Sequence, residues 1–163
     1  MIRVDHAGEY GATRIYAGQL AVLGDRHPKA PLIRHMAEQE REHHETFQRL
    51  IREHGVRPTA LHPLWNVAGF ALGAATALVG PKMAMACTAA VETEIDRHYE
   101  EQLVELGETE PELGDTIRRF QAEELEHKAT AIEHGAEDAA AYPLASAAIR
   151  LGCRLAIALS KRI

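Results

Sequence analysis

Two short segments of this chain echo one another, and their shared spacing restricts the fold more than any other feature. They are Gln39-Glu40-Arg41-Glu42-His43 and Gln121-Ala122-Glu123-Glu124-Leu125-Glu126-His127. Residues three apart share one face of a helix, so Glu40 with His43, and Glu124 with His127, each present a carboxylate and an imidazole together. The pattern is common in a chain with ten histidines, and on a solvated helix it means nothing. A second correspondence gives it weight. Glu9 lies 31 residues before Glu40, and Glu92 lies 32 before Glu124. Sliding the first half onto the second places Arg14 on Arg97, Tyr16 on Tyr99, Gln19 on Gln102 and Leu20 on Leu103. The chain therefore reads as a duplicated helix pair. One Glu from each of two helices and Glu-x-x-His from each of two others is the inward-facing ligand set of a four-helix bundle holding two metal ions.

Glycine and proline cut the sequence into six helical pieces, because Gly readily ends helices and Pro starts but does not continue them. Four pieces, about 4–23, 32–54, 81–106 and 111–134, are bundle helices long enough to carry a mid-helix ligand. They belong to a single all-α domain spanning 1–163, and scarce aromatic residues agree with helix nearly throughout. Gly8, Gly11 and Gly18 lower helix propensity in the first piece, which close packing against a neighbour would justify. The net charge of -6 gives no basic face, so nucleic acid is not a partner. Cys87 and Cys153 lack metal-type spacing and read as buried free thiols in a reducing compartment. No secretory signal is visible at the start.

The other two pieces, about 64–79 and 143–162, are accessory. The first has no charged residue and reads as a short buried or interfacial helix rather than a membrane span. The second carries Arg150, Arg154 and Lys161 as a basic stripe on an apolar helix. Two readings stay open for it: a core helix with a narrow solvent face, or an interfacial helix with its cations among lipid headgroups. On the second reading the two accessory segments pack side by side as a lipid-facing platform.

Longer blocks then carry a resemblance. They are Ile2-Arg3-Val4-Asp5-His6-Ala7-Gly8-Glu9-Tyr10-Gly11-Ala12, Pro63-Leu64-Trp65-Asn66-Val67, Ala84-Met85-Ala86-Cys87-Thr88, Glu123-Glu124-Leu125-Glu126-His127 and Gly152-Cys153-Arg154. Over essentially its whole length the chain resembles the demethoxyubiquinone hydroxylases of ubiquinone biosynthesis, a membrane-associated branch of the ferritin-like di-iron carboxylate proteins. The resemblance implies a ferritin-like bundle in which Glu9, Glu40, His43, Glu92, Glu124 and His127 bind two iron ions. Glu40 and Glu124 would bridge them, with Glu9 and Glu92 terminal. Carboxylates and imidazoles suit iron or manganese. The implied reaction is hydroxylation of a long-tailed 5-demethoxyubiquinone-type ring with O2, with reducing equivalents from NADH. No Gly-x-Gly-x-x-Gly fingerprint is present, so a built-in nucleotide domain is not expected.

The resemblance makes His98 and Tyr99 a redox or proton relay, against the plain reading of core side chains with satisfied polar atoms. His6 has no counterpart in the repeat and reads as a supporting or surface residue; His44 carries no readable signal. The implied location is peripheral to a membrane: the matrix side of the mitochondrial inner membrane in a eukaryote, the cytoplasmic face in a bacterium. A lipid-binding pathway protein and a second copy of the chain are the further partners. Two other functions compete: a different di-iron oxidase or hydroxylase, and a metal-free helical module for lipid or a partner. The latter leaves six inward polar groups with no role to offset their desolvation.

Overall fold

Glycines and prolines do stop and start the helices where the sequence places them. The structure, a computed structural model, describes residues 1–163: α1 Ile2–Leu23, α2 Ala30–Glu53, α3 His62–Val79, α4 Pro81–Leu106, α5 Pro111–Glu133 and α6 Tyr142–Ser160, with no strand. Each helix lies within two residues of its expected bounds. Every break carries a glycine with positive φ, from 54° at Gly107 to 146° at Gly80. The class is all-α and agrees with a ferritin-like helical protein. The chain forms two compact units, Met1–Ala84 with Leu155–Ile163, and Met85–Arg154.

In the first unit α2 buries Ile33, Met36, Glu40, His43, Phe47 and Ile51. Steps of three and four residues make this one continuous stripe. Its apolar members, at roughly 1.5–3 kcal/mol each, offset the burial of the two polar ones between them. α1 and α3 approach backbone to backbone. A Cβ on Gly18 would lie 2.2 Å from the Phe70 carbonyl oxygen, and one on Gly73 only 1.9 Å from that of Ile15. Close packing thus accounts for Gly18. It does not account for Gly8 or Gly11, where an added Cβ would meet nothing within 4 Å. Gly11 instead offers its carbonyl, 2.8 Å from where a Cβ on Gly69 would sit. The start of α3 also meets the end of α6, where the Trp65 indole N–H donates to Ser160 Oγ at 3.1 Å.

In the second unit α5 buries Leu113, Ile117, Phe120, Glu124, His127 and Ala131, the same stripe one repeat later. Gln121 donates from Nε2 to Asp96 Oδ1 at 2.8 Å, tying α5 to α4. α6 is fastened to α4 through Glu94, whose side chain is fully buried. Arg150 Nε donates to one of its oxygens at 2.6 Å, and Arg154 reaches both at 2.8 and 2.9 Å. Arg97 adds a third guanidinium at 3.4 Å. The Arg154 bond, with Arg150 and Arg97 behind it, holds the Glu94 carboxyl down to about 2 despite burial. Two of the three cations in the basic stripe, Arg150 and Arg154, are thus ion-paired within the protein while each stays partly exposed. The core-helix reading of α6 is corrected, since Ser160 is its one buried residue.

The duplication is deeper than a helix pair. At the same offset that carries Glu9 to Glu92, α3 falls on α6 and Gly69 falls on Gly152. Each half is three helices, with an accessory helix laid on the one that supplies the lone Glu. The halves use different chemistry at that seam. Glycine and a carbonyl meet in the first, whereas in the second the position matching Gly11 is Glu94 with its arginines.

Candidate metal centre

The two buried stripes each deliver a carboxylate and an imidazole to one helix face, and a neighbouring helix supplies a second carboxylate. In the first unit, Glu9 from α1 joins Glu40 and His43 from α2. His43 Nδ1 lies 3.5 Å from Glu9 Oε2 and 3.8 Å from Glu40 Oε2, and one donor atom from each of the three falls within 4.8 Å of the others. In the second, Glu92 from α4 joins Glu124 and His127 from α5, again within 4.8 Å, with His127 Nδ1 3.1 Å from Glu124 Oε2. All six side-chain positions are between 0 and 2% exposed. Four carboxylates sunk this far from water are costly unless a cation compensates them. Oxygen and imidazole donors, with no thiolate, fit iron or manganese. Both cysteines are free. Burial pushes the Cys153 thiol up to about 12, aided by the charges of Glu92 and Glu94.

The repeat holds for the residues flanking these triads. Tyr16 and Tyr99 are both buried, as are Gln19 and Gln102. Tyr16 Oη points at Met36 Sδ, 3.8 Å away. Gln19 donates to the Ala84 carbonyl at 3.1 Å. Gln102 bonds His98 Nε2 at 2.9 Å, and the His98 and Tyr99 rings lie 6.4 Å apart. His98 and Tyr99 are thus held in the interior of the second unit, on the helix that carries Glu92.

A further group escaped the sequence reading. His6 of α1, His44 of α2 and His62 at the start of α3 come together, with His6 to His44 and His6 to His62 ring centroids 4.7 and 5.0 Å apart. Burial lowers all three from the usual imidazole range, and mutual repulsion brings His44 down to about 4. Only His6 lies inside a notable motif, and no spacing rule links residues 6, 44 and 62. The signal is tertiary.

Residues 1–160 match the family model described as ubiquinone biosynthesis protein COQ7. A protein of Rhodospirillum rubrum named 3-demethoxyubiquinol 3-hydroxylase is 53% identical over 99% of this chain and 76% of its own length. The human protein named NADPH-dependent 3-demethoxyubiquinone 3-hydroxylase, mitochondrial, is 53% identical over 100% of this chain and 76% of its own length. One of Saccharomyces cerevisiae, named 5-demethoxyubiquinone hydroxylase, mitochondrial, is 44% identical over 100% and 77%. Where a cofactor is named it is NADPH, in place of the NADH expected from the sequence. With a family model matched over residues 1–160 and relatives aligned over essentially the whole chain, this chain belongs to the COQ7 family of ubiquinone biosynthesis hydroxylases.

Proposed function

We propose that this chain is a di-iron hydroxylase of the ring of a demethoxyubiquinone-type substrate, built as one ferritin-like domain with a Glu/Glu/His triad in each half. The observation that carries this is the pair of buried Glu/Glu/His triads, set at matching positions of a duplicated chain. Glu9, Glu40 and His43 would hold one iron, and Glu92, Glu124 and His127 the other. Bound iron supplies the activation of O2, for which no side chain here has the chemistry. The protein's own part is to keep the donors oriented and dry: Met36, Phe47, Phe120 and Ala131 lie one turn from Glu40, His43, Glu124 and His127 on α2 and α5 and exclude water there. His98 and Tyr99 would move protons or electrons toward that centre, with Gln102 fixing which nitrogen of His98 carries its proton. The relatives' names make NADPH the reductant to test first.

The test combines metal and product. Purified protein should contain about two irons per chain and convert a demethoxyubiquinone to its ring-hydroxylated product when supplied with O2 and reductant. Chelation should remove iron and turnover together, and ferrous iron should restore both. Turnover by fully iron-depleted protein would refute the assignment.

The long isoprenoid tail of such a substrate calls for an apolar surface, and α6 supports a membrane-facing reading. It is long and apolar enough to cross a membrane by length and composition, yet Ser160 is its one buried residue and about half of the helix is exposed. Leu144, Leu151, Leu155 and Leu159 on α6, with Leu64 and Val67 on α3, are bared to solvent. We place this face on the matrix side of the inner membrane in a mitochondrion, as the mitochondrial names of eukaryotic relatives suggest, or on the cytoplasmic face in a bacterium. Because Arg150 and Arg154 hold Glu94, the face is tested at its leucines. Changing Leu151 and Leu155 together to Glu should leave helical content intact and lower vesicle binding at least tenfold; unchanged binding would mean the face is not lipid-facing.

A further inference from the structure

The His6, His44 and His62 cluster lies outside both triads and has no part in the proposed reaction. We infer that it is a second metal site, of a different chemical type: a three-imidazole site for a late first-row divalent cation, of which zinc is the probe. All three residues belong to the first unit, and one ring nitrogen from each lies within 4.8 Å of the other two.

Hydrogen bonding prepares these nitrogens for a metal. His6 Nε2 is 2.9 Å from Gln48 Oε1. An amide oxygen only accepts, so Nε2 carries the proton and the Nδ1 lone pair is left available. A ligating imidazole is normally oriented in this way, by an acceptor on its far nitrogen. His6 Nδ1 accepts only a long hydrogen bond from His62 Nε2, 3.4 Å away, which an ion shared by the two rings would replace. Two nitrogens on a tetrahedral zinc, at about 2.0–2.1 Å from it, are themselves about 3.3–3.4 Å apart. His44 supplies the independent sign: its Nε2 is buried without a hydrogen-bond partner, a state that a lone pair on a metal would relieve. His44 and His62 are each only half-buried, so a cation has a path in and a fourth position for water. The Tyr10 ring, 4.2 Å from His62 and 5.5 Å from His44, walls one side.

Donor chemistry separates this site from the triads. Three neutral imidazoles without a carboxylate favour zinc, copper or nickel, while the carboxylate-rich triads favour iron. One ligand comes from each of α1, α2 and α3, so an ion there pins three helices at the end where the Arg3 guanidinium also holds the Arg57 carbonyl, 2.8 Å away. Binding the folded state alone, it should raise the melting temperature.

The experiment titrates zinc against a chromophoric chelator, with every protein first incubated with ferrous iron. Wild type, His44→Leu, His62→Gln and, as a control for the triads, Glu124→Gln are compared. Wild type should take one zinc per chain and melt several degrees higher with it. Each histidine variant should lose at least tenfold in zinc affinity while Glu124→Gln keeps it, and cobalt in place of zinc should give visible tetrahedral bands that vanish in His62→Gln. His62 is half-exposed at the start of α3, so that variant serves even if His44→Leu fails to fold. Absence of a zinc equivalent in wild type, equal affinity in folded His62→Gln, or loss in Glu124→Gln alone would each overturn the site. None of these bears on the hydroxylase reading, which is decided by iron content and product.

Discussion

Glu124→Ala should abolish oxygen-dependent ring hydroxylation, to below about 1% of wild type, while the metal-free variant unfolds at the same temperature as metal-free wild type or higher. The two halves of this expectation have one cause. Glu124 is fully buried beside His127 on the inner stripe of α5, where Ile117, Phe120 and Ala131 already supply the packing. A buried carboxylate contributes to folding only through its compensating partners, and removing it from the metal-free chain relieves a desolvation cost against loss of the contact with His127. The side chain earns its place through metal. Iron content should fall with activity, and calorimetry of the stripped proteins separates loss of a ligand from loss of fold. Full activity in this variant, or a metal-free form that melts well below wild type, would show that Glu124 serves the structure and not a metal.

Gly73→Ala should destabilise the protein strongly, although helix propensity alone gives the opposite sign. In an exposed helix the change gains about 1 kcal/mol. Here the new methyl would sit 1.9 Å from the Ile15 carbonyl oxygen and 2.7 Å from its carbon, both backbone atoms of α1 that have no rotamer to change. α1 and α3 must move apart, and overpacking of that kind costs about 3 kcal/mol or more. For a chain of this length the melting temperature should fall by about 10 °C. Gly8→Ala is the matched control, because its methyl would meet nothing within 4 Å; it should leave stability unchanged or slightly raised. A Gly73→Ala protein as stable as wild type would mean that α1 and α3 do not meet through glycine.

Local physics made much of this protein legible in its residues. Helix breaks follow from backbone freedom at Gly24, Gly55, Gly80, Gly107 and Gly135 and from the prolines that restart the chain, both properties of single residues. The stripes of α2 and α5 follow from a period of 3.6, and so does the pairing of Glu40 with His43 and of Glu124 with His127. Comparing the halves was enough to add Glu9 and Glu92. Tertiary structure decided what depends on which face of one helix meets which face of another. Arg150 and Arg154 read as a basic stripe facing either solvent or lipid, and only the structure shows Glu94, 56 and 60 residues away, holding them. Gly8, Gly11 and Gly18 read alike, yet an added methyl would strike another backbone only at Gly18. His44 and His62 carried no signal at all, because three imidazoles on three helices become a cluster only once those helices pack. Periodicity places a residue on a face of its own helix; what that face touches is set by packing between elements distant in sequence, and no local pattern encodes it.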